Sequence, residues 1–314
     1  MNETVKKYRN TMGRLGAVLL LFLIMMYGLN TVESLFSGIL SFFVKRETVE
    51  IISSLLDSAT YFASFTLAAW FYHLGRRQEQ VEPIRFTPNL PSNSLLVVFA
   101  GVACALSLSL VNSIVAEYLG FVDPLPIFNL PDEFSGDHAI VLRFIAIAIV
   151  PAFCEEILFR GVVLSNLMPY GKASAIVISS VLFGLMHGNA KQFLYATAAG
   201  IIMGCVYVMT DSIWCSILIH FINNTVSVLQ FAVVDRFSEE YAWIIFISCE
   251  CVLIFVGIIC AFVLVSRKSK NGNSFDLGGI TFSKEISPID SAKGFLVPSV
   301  LAFSIISVVL ALLR

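Results

Sequence analysis

Long apolar runs separated by short polar connectors set the pattern of this chain. A run of about 20 apolar residues crosses a bilayer as a helix. Such runs fall near 15–44, 50–74, 93–119, 139–167, 173–188, 193–210, 213–234, 240–266 and 295–313. They predict eight or nine spans, with the fifth and sixth short. A membrane β-barrel would instead show strands of about ten alternating residues. The expected fold class is therefore all-α, a polytopic transmembrane helical bundle. No A-x-A cleavage signal follows the first run, so it reads as a retained anchor.

Composition agrees. Of 314 residues, 57% are hydrophobic and only 13% charged, with mean hydropathy +0.85. Soluble domains carry roughly 25% charged residues. The net charge of −2 supplies no basic field for nucleic acid, and no nucleic-acid partner is expected. Lys and Arg cluster in the N-terminal tail (Lys6, Lys7, Arg9, Arg14), the second connector (Arg76, Arg77, Arg85) and the late loop around 267–294. The 120–138 connector has acids and prolines but no Lys or Arg. Positive residues mark the cytoplasmic side, which predicts a cytoplasmic N-terminus and an extracytoplasmic acidic loop. The late loop, with Gly278 and Gly279, reads as a flexible polar link. Three regions result: 1–138 with N-terminal helices and the acidic loop, 139–234 as a polar-bearing core, and 235–314 with C-terminal helices. Seven cysteines lie within apolar runs and read as small buried hydrophobes. Cys249 and Cys251 point about 200° apart on a helix, which argues against one metal held by both.

The polar exceptions carry the chemistry. Glu155, Glu156 and Arg160 interrupt the fourth run. A charge near the bilayer centre costs about 3 kcal/mol or more, so such groups pair, face water or react. Glu156 and Arg160, spaced i,i+4 with the acid first, favour an ion pair. Glu155 lies about 100° around the helix and is left for a cavity, where it can serve as a general base. Pro151 removes a backbone hydrogen bond one turn earlier. Phe183-x-x-x-His187 and His220-x-x-x-Asn224 follow in later runs. Histidine can move a proton or hold a metal, and an asparagine amide can donate to an oxyanion. A single histidine in an apolar helix is more often a bonded core residue; two of them with an acid and an amide favour a site. His73, His138 and Glu250 receive no role. HExxH, GxSxG and Walker A motifs are absent. Ala196, Gly200 and Gly204 form a small-residue stripe that predicts close helix packing.

In order, Glu155-Glu156-x-x-x-Arg160, Phe183-x-x-x-His187 and His220-x-x-x-Asn224 resemble the three motifs of the CAAX-protease and bacteriocin-processing (Abi) family, over roughly 139–230. Phe159-Arg160-Gly161, Ser179-Ser180 and Asn223-Asn224 extend the likeness. The resemblance implies an intramembrane endopeptidase in a bacterial plasma membrane, acting on a membrane-associated or lipidated peptide or protein. It implies that Glu155 activates water, that His187, His220 and Asn224 bind the water and the tetrahedral intermediate, and that Glu156 and Arg160 support them. Zn²⁺ at His187 and His220 is one reading, since two histidines and an acid form a catalytic zinc set; a metal-free glutamate mechanism uses the same residues. The rivals are a non-proteolytic immunity or binding scaffold of the same fold, and a transporter with the acids as a proton relay.

Overall fold

The computed structural model describes residues 3–74, 82–86, 92–118, 137–234, 236–271 and 279–313. The acidic loop at 120–138, expected on the extracytoplasmic side, lies almost wholly outside the described residues. Among the described residues the protein is helical, without strands. Chain order gives α1 (Glu3–Leu40), α2 (Arg46–Leu74) and α3 (Ser94–Tyr118). There follows a helical rod of α4 (Asp137–Arg143), a π segment (Phe144–Ile149), α5 (Val150–Glu156), a second π segment (Ile157–Leu164) and α6 (Ser165–Leu167). Then come α7 (Lys172–Met186), α8 (Ala190–Thr210), α9 (Ile213–Val234), α10 (Glu239–Asn271), α11 (Pro288–Ala292) and α12 (Pro298–Leu313).

The protein is an integral membrane helical bundle, with fewer spans than the eight or nine expected. Among the described residues, six helices are long and apolar enough to cross a bilayer, and a pair bent by 70° at Val297 would make a seventh. Two expected spans account for most of the difference. The 139–167 run is broken into α and π pieces and holds four charges: Arg143, Glu155, Glu156 and Arg160. The run at 173–188 becomes α7, whose 15 residues reach about 22 Å, short of a hydrocarbon core of about 30 Å.

The rod is the centre of the bundle. Every residue of its second π segment except Ile157 is buried. It is enclosed by α2, α7, α8 and α9, while α1 packs on the outside of α2, α12 packs on α1 and α7, and α3 and α10 pack beyond α8 and α9. α10 turns Trp243, Phe255, Phe262 and Val265 outward, as a lipid-facing helix does. The cysteines are all free; Cys154 and Cys215 are buried as expected, but Cys104, Cys249 and Cys251 face outward. In a bilayer that is still an apolar environment.

The small-residue stripe sits where close packing needs it. A side chain on Gly200 would meet Ser180 at 3.0 Å, and one on Gly204 would meet Ile176 at 3.2 Å. Facing them, a side chain on Gly184 of α7 would collide with Thr197 and with the Phe193 carbonyl. The late loop is more than a link. Its described part docks on the start of α7 through Ala173 N–H to the Thr281 carbonyl at 3.1 Å, and on α1 through Thr4 to Glu285 at 2.8 Å.

Candidate active site

The rod's two π segments explain how its polar groups are presented. Pro151 lacks the N–H that an α-helix would offer to the carbonyl of Ile147. Asn224 of α9 supplies the missing donor, its Nδ2 reaching that carbonyl at 2.9 Å. This is the usual membrane solution, in which a neighbouring helix satisfies a backbone group that proline has freed. In the second π segment the Arg160 carbonyl accepts from the backbone N–H of Ser165 and, at 2.9 Å, from its hydroxyl. π-bulges recur at functional sites.

The two acids divide as their spacing predicts. Glu156 and Arg160 are fully buried and pair at 2.9 Å. A second guanidinium nitrogen donates to the Gly200 carbonyl at 3.2 Å, which the close α7–α8 packing brings within reach. The guanidinium also lies over the Phe183 ring, 4.6 Å from its centroid. Glu156 does more than neutralise Arg160, however. Its Oε1 also faces Nδ1 of His220 at 2.9 Å, a contact between distant segments that helical spacing does not reveal.

Glu155 points away from Arg160. The Tyr61 hydroxyl of α2 donates to its Oε1. Its Oε2 is buried without a hydrogen-bond partner and lies 3.8 Å from Nε2 of His220. With Nδ1–H of His220 donated to the Glu156 carboxylate, Nε2 of the neutral ring is an acceptor. Two acceptors therefore face each other inside the protein, too far apart for a direct hydrogen bond.

The other expected residues stand further off. His187 is half-buried at the end of α7, with Nδ1 on the Phe183 carbonyl at 2.9 Å. That bond leaves Nε2 as the acceptor. His187 and His220 both meet the Phe183 ring edge-on, at centroid distances of 4.9 and 6.1 Å. Among the described residues, His187 makes no hydrogen bond or ion pair with Glu155, His220 or Asn224. Phe183 is thus the hub of the site, joining both imidazoles, Arg160 and Phe159, whose ring is 5.1 Å away. Asn224 sits one turn beyond His220, tied to Ile147 and accepting from Nδ2 of Asn223 at 3.3 Å. Asn223 in turn accepts from Tyr195 at 2.6 Å.

Tyr61, Tyr195 and the Glu156–His220 contact escape the motif reading. Tyr61 had a signal: Ser54, Ser58, Tyr61 and Ser64 repeat every three or four residues in α2, and all are buried. Glu250, unassigned from sequence, is buried with Oε2 unpartnered.

A zinc centre is tested by its donors. Among the described residues no three His, Cys, Asp or Glu side chains converge as a metal requires. Nδ1 of His220 and of His187 are held by the Glu156 carboxylate and the Phe183 carbonyl, an orientation that metal-bound histidines also use. As placed, however, His187, His220 and Glu155 do not converge on one ion and do not form a zinc centre.

Comparison with known proteins bears on this same segment. Residues 137–226 match the family described as Type II CAAX prenyl endopeptidase Rce1-like. A Bacillus subtilis (strain 168) protein named "Putative membrane peptidase YdiL" is 36% identical over 107 residues, covering 33% of this chain and 43% of that protein. The likeness therefore spans less than half of the relative's length. No solved structure matches. Segment 137–226 is thus similar to the Rce1-like CAAX prenyl endopeptidases.

Proposed function

We propose that the protein is an intramembrane endopeptidase that hydrolyses a peptide bond in a membrane-associated or lipidated peptide or protein by glutamate-activated water. One observation carries the reading: buried Oε2 of Glu155 and Nε2 of His220, 3.8 Å apart, lie in the segment matched to a prenyl endopeptidase family. A single water can donate to both acceptors at ordinary lengths of about 2.8 Å. Glu155 takes the water's proton as its oxygen attacks the peptide carbonyl. The new C–O bond gives a tetrahedral intermediate; the C–N bond then breaks, and the proton passes to the leaving amine. Glu156 holds the His220 ring by Nδ1 and stabilises any positive charge it gains, as a carboxylate does in a hydrolase triad. Asn224 has a second amide hydrogen beyond the one given to Ile147, and we assign it to the substrate side, steadying the oxyanion; His187 joins it there when Nε2 as well as Nδ1 carries a proton. Lipid acts as the second partner, presenting the substrate, and the N-terminus faces the cytoplasm of a bacterial plasma membrane.

The test compares membrane peptides from cells carrying wild type and Glu155→Gln. Peptides should accumulate in the variant that are consumed in the wild type. Identical profiles would defeat the peptidase reading and favour a binding scaffold. Purified protein should keep its activity after exhaustive chelation; loss on chelation with recovery on Zn²⁺ would restore the metal to the mechanism.

A further inference from the structure

The acid expected to activate water is held by a residue outside all three motifs and outside the matched segment. Tyr61 is buried in α2, 4% exposed. Its ring packs on Phe65 at 4.7 Å between centroids, and Phe65 packs on Phe22 of α1 at 4.4 Å. This aromatic column fixes where the hydroxyl can point, and it points at Oε1 of Glu155. The result is an unequal carboxylate. One oxygen is engaged by Tyr61; the other is buried, unpartnered and turned to His220.

We propose that Tyr61 is a positioning residue for hydrolysis: its hydroxyl engages one oxygen of Glu155 and so reserves the other for the attacking water. The proposal rests on Glu155 as the base. A glutamate's terminal torsion is broad and roughly two-fold, so without a donor on one side the carboxylate samples orientations in which neither oxygen shares a water with His220. Misplacing a reacting group by about 1 Å costs on the order of 100-fold in rate. A further consequence is that the 137–226 segment does not contain its own complete site; α2 finishes it.

The experiment uses purified full-length protein in lipid nanodiscs and a decamer peptide library, half of it ending in farnesylated cysteine, with cleavage read by mass spectrometry. The best-cleaved peptide then serves for kinetics. Tyr61→Phe keeps the ring and removes the donor. It should lower kcat about 10- to 100-fold with KM within twofold while the protein stays folded at the assay temperature, a split that simple loss of packing would not produce. Phe65→Leu keeps the hydroxyl but loosens the column, and should lower kcat by a smaller factor at unchanged KM. This variant decides the matter if Tyr61→Phe does not fold. Wild-type kcat in Tyr61→Phe, or in Phe65→Leu where that variant stands in, overturns the role of Tyr61 while leaving Glu155 intact. Wild type and Glu155→Gln behaving alike defeats the peptidase reading itself, and the positioning role with it.

Discussion

At the scale of single residues, the adjacent acids differ in what their removal costs. Glu156 accepts from Arg160 and faces His220, all three buried. Breaking a buried pair by removing one partner costs about 3–5 kcal/mol, because the remaining charge is left uncompensated. Glu155 has one neutral donor and a free oxygen, so neutralising it strands no cation. Glu156→Gln should therefore lower the unfolding temperature of detergent-purified protein clearly more than Glu155→Gln. Equal losses would mean that the roles are wrongly divided. That the two side chains face different ways was legible from spacing alone, since i,i+4 and a 100° offset follow from helix geometry. The contacts of Glu156 with His220 and of Glu155 with Tyr61 were not, because they join residues from different helices and depend on how those helices pack.

At the scale of elements, the proline and the asparagine act as a pair. Asn224 serves the Ile147 carbonyl because Pro151 cannot. Asn224→Ala should cost about 1 kcal/mol, the low end of the penalty for an unsatisfied acceptor, because the Ile147 carbonyl is only part-buried. In a Pro151→Ala background, residue 151 can donate to that carbonyl, and the cost of Asn224→Ala should shrink. Additive losses in the double-mutant cycle would contradict the coupling. The α7–α8 contact makes a second prediction. Gly200 faces the Cα and Cβ of Ser180, and its carbonyl receives Arg160. Gly200→Leu should abolish folded protein on size-exclusion chromatography, whereas Leu194→Ala, on the exposed side of α8, should be silent. The sequence showed this stripe because small residues every four positions carry their own meaning in a membrane. It did not show that 139–167 is a broken, buried rod, because hydropathy averages over the charges that change its register and keep it from the lipid.

At the scale of the whole molecule, the bundle surrounds a polar rod with apolar helices and ties its ends together. Thr4, Tyr8 and Gly13 on α1 bond Glu285, Ser291 and Ser299 near the other end of the chain, so the first and last helices close as one wall. The general architecture was readable from composition and run length; the span count was not, because run length cannot tell a lipid-facing helix from one sheltered inside the protein. The shortness of α7 has a mechanical consequence. With about 22 Å of helix against a hydrocarbon layer of about 30 Å, α7, although mostly buried, would leave a hydrophobic mismatch that thinning of the surrounding lipid can relieve. On the proposed peptidase reading, acyl-chain length would then control turnover. Reconstitution in short-chain phosphatidylcholine should give faster cleavage than in long-chain lipid at equal protein, with the protein folded in both. A rate indifferent to chain length would mean that the neighbouring helices, not the bilayer, absorb the shortfall. Where the membrane does yield, a thinner bilayer would shorten the path from bulk water to the buried Glu155 and His220.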